Sequence, residues 1–189
     1  MLNETGSTIH YIRTENLELK IETFKFISID YKIDLKSKDG KEQVLEMVKK
    51  MDVFLESFRP GVMERLGLGP SEIHKVNPKI IYVRLSGYGQ SDKAAGHDAN
   101  YLAKSGVMTK FRFNADGKPG LPGNVVADYC NGSLATFVQI LAAKRLSNRE
   151  KVVIDSSMTL NTAYYSQPEL LSIDDTGLSP YLGKIAELE

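Results

Sequence analysis

Two side chains carry the chemistry that this sequence offers. His97 lies in "AGHDANYLAKSG", between glycines and small residues and next to Asp98, directly after the polar stretch "LSGYGQSDKA". A neutral imidazole accepts a proton at physiological pH, which suits a general base. Asp128 lies in "NVVADYCNGS" and opens a second apolar-periodic stretch. Its carboxyl group can carry a proton or attack an acyl group, with backbone amides near the start of its helix as donors to an oxyanion. Each residue also has a plain reading. Asp98 and Asp128 are ordinary first-turn carboxylates, favoured by the helix dipole, and His97 is a loop residue. A histidine and an aspartate that each enter a helix after a glycine-rich loop say more together than either does alone.

The elements that must hold these residues are legible from periodicity. Ile27, Ile29, Tyr31, Ile33 and Leu35 alternate with polar residues, predicting a strand with one wet face near a sheet edge. "KSKDG" turns the chain, and Val44, Leu45, Val48 and Met51 follow at helical spacing. "DVFLE" reads as a strand, "VMERLGLG" as a short helix ended by glycine, and "PSEIHKVN" as another before Pro78. "KIIYVRLS" has the continuous apolar run of a buried strand. Strand, helix, strand, helix, strand in this order predicts an α/β fold with a parallel sheet and flanking helices. Ligands of such sheets sit beyond the carboxyl ends of the strands, so the loops that begin at Glu56 and Ser86 are of interest.

Further on, "FNADGKPGLPG" is a loop by composition, and residues 125 to 146 are helical in pattern with an apolar stripe of Leu134, Phe137, Val138, Leu141 and Ala142. "KVVID" and "SMTLNTAYYSQPELL" predict a last strand and helix. The first 23 residues are mostly polar, with weak alternation at Leu17, Leu19 and Ile21, and predict no defined element.

Composition excludes several classes. Lys and Arg number 24 and Asp and Glu 24, so no general nucleic-acid or membrane-adsorbing surface is expected, and any site for an anion must be local. The single cysteine, Cys130, rules out an intramolecular disulfide and reads as packing. His10 and His74 share no metal-ligand spacing with His97, and no metal site is expected. No run of about 20 apolar residues predicts a membrane span. The opening residues lack a secretory h-region. "SGYGQSDKAAG" fails the dinucleotide fingerprint at Asp92, although Gly87 and Gly89 leave room for a ligand to approach. Arg59 in "SFRPG" follows a strand end, where its guanidinium would hold a phosphate; alternatively, "RPG" is a surface turn.

The blocks "KIDLKSKDGKE", "DVFLESFRPGVMERLGLGP", "NPKIIYVRLSGYGQS", "AGHDANYLAKSGV", "NVVADYCNGSL" and "VVIDSSM" occur in this order over residues 27 to 165. They resemble the family III CoA-transferase (CaiB/BaiF) group and, within it, the alpha-methylacyl-CoA racemases. The resemblance implies a Rossmann-like parallel sheet with flanking helices, part of the family's large domain, over residues 24–175. Residues 1–23 would be a poorly defined N-terminal segment and 176–189 a tail, the small domain being missing. It also implies roles for individual residues. His97 would be the proton acceptor on one face of a 2-methylacyl-CoA thioester and Asp128 its acid–base partner on the other. Ile33, Asp34, Leu35 and Lys36, together with Arg59 and Gly61, would lie near CoA. Gly96, Asp98, Ala99, Asn100 and Tyr101, the rest of the family's histidine block, would likewise bind CoA or the substrate.

The activity so implied is inversion of the 2-methyl centre through an enolate, with no metal or redox cofactor, because CoA arrives within the substrate. One alternative is a CoA-transferase with Asp128 as a nucleophile forming a mixed anhydride; such relatives usually lack the histidine. Another is an inactive CoA-binding or dimer-forming remnant. The opening strand and helix of the family, its second domain and the glutamate that assists the histidine in racemases have no match here, and Asn131 replaces an expected glycine. The resemblance further implies a homodimer, working in mitochondria or peroxisomes in a eukaryote or in the cytoplasm of a bacterium.

Overall fold

The structure, a computed structural model, describes residues 8–13, 28–110, 117–118, 120, 123–145 and 150–165. Within these, the chain alternates strands and helices as the sequence predicts. The elements are β1 (Ile9–Arg13), β2 (Ser28–Lys32), α1 (Lys38–Val48), β3 (Val53–Glu56), α2 (Val62–Leu66), α3 (Pro70–Val76) and β4 (Ile81–Ser86). They continue with α4 (Asp98–Lys104), a 3₁₀ turn (Val107–Lys110), a π-helix (Ala127–Leu134), α5 (Ala135–Arg145), β5 (Val153–Ser157) and α6 (Met158–Tyr165). β1 and β2 pair in parallel, and a second sheet has the order β3-β4-β5. The fold is α/β, with parallel sheets flanked by helices.

The chain divides into two compact units, Met1–Val83 with Gln139–Ile154, and Arg84–Val138 with Asp155–Glu189. In the first, Val44 and Val48 of α1 meet Ile33, Met63, Leu68, Ile73, Ile80 and Tyr82 in one apolar cluster. Polar groups inside it are satisfied, as burial demands. The Tyr82 hydroxyl donates to the Leu68 carbonyl at 3.0 Å and His74 Nε2 donates to the Ile80 carbonyl at 3.1 Å. His74 is thereby a structural histidine. Asn77 closes the end of α1 by donating to the carbonyls of Val48 and Met51 at 2.9 and 3.0 Å. A second cluster joins Ile81, Val83 and Ile140.

At its other end α1 begins at Ser37, whose hydroxyl oxygen accepts the Gly40 N–H at 2.9 Å and donates to the Asp34 carbonyl at 2.8 Å. Losing such a cap costs about 1 kcal/mol. Ser37→Ala is therefore expected to lower unfolding free energy by about 1 kcal/mol, read from the urea midpoint at unchanged slope.

Three features differ from the sequence reading. A strand forms at residues 9–13, where polarity predicted nothing, because β2 offers it an edge at matching register, Ile9 opposite Ser28 through Arg13 opposite Lys32. Leu17, Leu19 and Ile21 lie outside the described residues. β2 is shorter than the alternation that predicted it, and Ile29 is exposed while Ile33 is buried, since only one end of that stretch reaches the core. Most consequentially, the helix after residue 125 begins as a π-helix and its predicted stripe is largely wet. Leu134, Val138 and Leu141 are exposed, whereas Ala135, Thr136 and Ile140 are buried. The burying face is set by Thr136, which hydrogen bonds to the Gly132 carbonyl and to Ser156 Oγ.

Candidate active site

The second unit brings together the histidine block and the Asp128 turn. His97 is the residue before α4, extended in backbone and exposed in side chain. Its N–H donates to Asn100 Oδ1 at 3.0 Å, which fixes the entry into the helix. Gly96, just before it, is held by the Tyr101 hydroxyl, which donates to the Gly96 carbonyl at 2.6 Å. The Tyr101 ring is buried and packs edge-on to Tyr88, with centroids 5.1 Å apart. Two glycines make room for these rings. A Cβ on Gly96 would lie 2.7 Å from Tyr101 Cε1, and one on Gly87 would lie 2.6 Å from Tyr101 Cζ. The space at Gly87 thus admits a side chain of this chain rather than a ligand, and its carbonyl accepts from Thr159 at 2.7 Å. This corrects the reading of Gly87 as room for a ligand to approach. Burial, then Asp128, then Tyr88 raise the Tyr101 phenol above its ordinary range, which keeps it a donor.

Asp98 is buried, and its Oδ1 accepts the backbone N–H of Asp128 at 3.0 Å, across thirty residues of sequence. The Asp128 carboxyl lies within the influence of Asp98 and His97. Burial, and then the neighbouring Asp98 carboxylate, raise it above the usual carboxylate range, while His97 acts in the opposite direction. An acid that stays protonated to higher pH is a better proton donor near neutrality.

The raised value also has a stability consequence. Folding favours the protonated Asp128, so this contribution is fully present below the unfolded value, about 3.9, and is lost as pH rises through the higher folded value. The stability of the wild type relative to Asp128→Asn should therefore fall from pH 4 toward neutrality, checked by denaturation midpoints of both across that range.

Three amides at the start of the Asp128 helix are engaged: Asp128 N–H by Asp98, Tyr129 N–H by the Val125 carbonyl at 2.9 Å and Val126 N–H by the Asn124 carbonyl at 3.1 Å. An enolate oxygen would have to displace one of these acceptors or use another donor. The side chain of Cys130 lies outside the described residues.

Of the remaining block, Ala99 is half-buried and Asn100 exposed. The residues expected near CoA belong to the first unit. Ile33 is buried in its core, Leu35 is half-buried, and Asp34 and Lys36 are exposed, with Asp34 Oδ1 accepting the Lys36 N–H at 2.9 Å. Arg59 is exposed after β3, and Gly61 takes φ +81° to begin α2, a conformation that favours glycine. Tyr88 and the reach of Asp98 to Asp128 were not foreseen. The doublet of glycine and tyrosine in "SGYG" hints at the first, but a contact across thirty residues leaves no local signature. Among the described residues no group of three or more His, Cys, Asp or Glu is placed to hold a metal ion, and no helix is long and apolar enough to cross a membrane.

Residues 30–180 match the family model for CoA-transferase family III. The chain belongs to that family. Over 139 residues this family III chain is 46% identical to alpha-methylacyl-CoA racemase of Mus musculus, a match covering 71% of the chain and 36% of the racemase. It is 37% identical over 156 residues to acetyl-CoA:oxalate CoA-transferase of Acetobacter aceti, covering 78% and 39%. The crystal structure of Rv3272 from Mycobacterium tuberculosis superposes with TM-score 0.78 at 25% identity, over 90% of the chain and 52% of that structure. The chain thus spans well under two thirds of the length of these family III relatives.

Proposed function

We propose that the chain carries the acid–base site of an alpha-methylacyl-CoA racemase, acting on 2-methylacyl-CoA thioesters. The observation that carries this reading is the hydrogen bond from the Asp128 backbone to Asp98, the neighbour of His97, beside an Asp128 carboxyl that burial raises above its ordinary range. In one direction His97 takes the α-proton, the electrons move into the thioester carbonyl to give the enolate, and Asp128 returns a proton to the opposite face. In the other direction the two exchange roles. The reaction balances without a separate cofactor, CoA being part of the substrate. Two differently protonated groups are what the chemistry needs, and the environment of Asp128 supplies the acid. The exposed apolar residues Leu134 and Val138 support the companion expectation of a homodimer.

The likeness to the oxalate CoA-transferase favours a second reading, in which the Asp128 carboxylate attacks an acyl-CoA, expels CoA as its thiolate and holds the acyl group as a mixed anhydride. Incubation with 2-methylacyl-CoA in deuterated water, followed by NMR at the α-proton, separates the two. Loss of the α-proton signal with inversion supports the racemase. Trapping of an Asp128 acyl group by hydroxylamine without α-exchange supports the transferase. Binding of the thioester with neither reaction would leave a CoA-binding remnant.

A further inference from the structure

We infer that Asp98 is the positioning residue of the site, its buried carboxylate tying the start of α4 to the backbone of Asp128 so that His97 and Asp128 are held in one fixed relation. The inference rests on the racemase reading for its catalytic meaning, although its geometry stands apart from that reading. Three observations carry it. Asp98 follows His97 directly, so anything that fixes Asp98 fixes the base. Its Oδ1 accepts the Asp128 N–H at 3.0 Å, so the same carboxylate fixes the acid. It does this from a buried position, where a carboxylate is retained only if its partners hold it. The contact is one of backbone to side chain, so changing the Asp128 side chain leaves it intact, whereas removing the Asp98 side-chain oxygens abolishes it.

The surroundings define what Asp98 does beyond geometry. The titratable groups around Asp128 are Asp98 and His97 at the start of α4 and Tyr101 within it, with Tyr88 behind Tyr101. On the α6 side, the π-helix packs through Gly132 against uncharged Met158. Asp98 is thus the negative neighbour of Asp128, and it pushes the Asp128 carboxyl toward its protonated form. Its carboxylate is thus a support for both reacting groups. This differs from the role of substrate ligand that the sequence resemblance implies for it.

The test uses the full chain with ¹³C-labelled aspartate, the Asp128 signal being assigned by its loss in Asp128→Asn. Asp98→Asn keeps an oxygen acceptor but removes the charge, so the Asp128 midpoint should fall while its amide stays protected from hydrogen exchange. Asp98→Ala removes both, so that protection should also be lost. With 2-methylacyl-CoA, Asp98→Ala should lower kcat for α-proton exchange by about tenfold or more, the scale of a hydrogen bond to a charged group, at unchanged KM. Asp98→Asn should retain more of the rate, with its pH profile moved down. An Asp128 midpoint and amide protection that are the same in wild type and both variants would overturn the inference. So would a rise in KM alone, which would make Asp98 a substrate ligand. If Asp98→Ala does not fold, Asp98→Asn decides through the midpoint. If the wild type exchanges no α-proton, the racemase reading fails, and the Asp128 titration still decides the role of Asp98.

Discussion

Inversion of a 2-methylacyl-CoA should fall by about 10²–10⁴-fold in both His97→Ala and Asp128→Ala, the usual contribution of a positioned general acid or base. The two losses are not expected to multiply, because a racemase that lacks either group already lacks inversion. Exchange is the more revealing signal. With Asp128 removed, His97 can still take the proton from the epimer that faces it and return a deuteron to the same face. That epimer should then exchange without inverting, and the other should do neither. With His97 removed the preference should switch. The measurement is α-proton NMR in deuterated water on each separate epimer. Equal exchange of both epimers in either variant would mean that the two side chains do not address opposite faces, and the paired acid–base reading would fall with it.

Gly40→Ala should be the most damaging small substitution in the first unit. Its Cβ would overlap the backbone carbonyl oxygen of Asp34 and lie 2.8 Å from both the Asp34 carbonyl carbon and Ser37 Oγ. Overpacking costs about 1–3 kcal/mol, and a backbone group cannot swing aside as a side chain can, so the upper end applies. Alanine would recover at most about 1 kcal/mol of helix propensity over glycine. The net expectation is a loss of about 2 kcal/mol, roughly twice that of Ser37→Ala although both alter the same corner. The damage falls on the turn that holds Asp34 and Lys36, so if these residues contact CoA as the resemblance implies, affinity for CoA thioesters should weaken as well. Urea denaturation and a CoA-thioester titration check the two effects. A variant as stable as the wild type would show that this corner yields easily.

How far the sequence disclosed this arrangement depends on the range of the interaction involved. Helix α1 was legible because Val44, Leu45, Val48 and Met51 recur at helical spacing, although its first turn and its cap Ser37 lie in the "KSKDG" that read as a turn, and β4 was legible because its apolar run is nearly continuous. The placing of His97 before a helix and Asp128 within the first turn of another was legible for the same reason. Strand β1 was not, because a five-residue polar-flanked segment becomes a strand only when an edge at the right register is offered to it. Nor was the burying face of α5. Its apolar residues follow a helical stripe, yet the buried side chains include Thr136, whose hydroxyl is satisfied by Gly132 and Ser156. Periodicity counts apolar residues and has no means of seeing a polar partner twenty positions away. The same limit concealed the contact from Asp98 to Asp128.

The π-helix of residues 127–134 bears on how such a site tolerates insertion and deletion. A π-turn is an α-helix with an extra residue accommodated in its winding. Each residue of an α-helix turns the chain by about 100°. Deleting one residue between Tyr129 and Leu134 would let the segment rewind as an α-helix continuous with α5, and it would swing Asp128 around the axis by roughly that angle. The proposed catalytic acid would then be present in composition and absent from the site. In comparisons of related chains, a one-residue gap at this place therefore weighs as heavily as a substitution of the aspartate itself, and alignments that slide a gap freely through the helix would hide the difference.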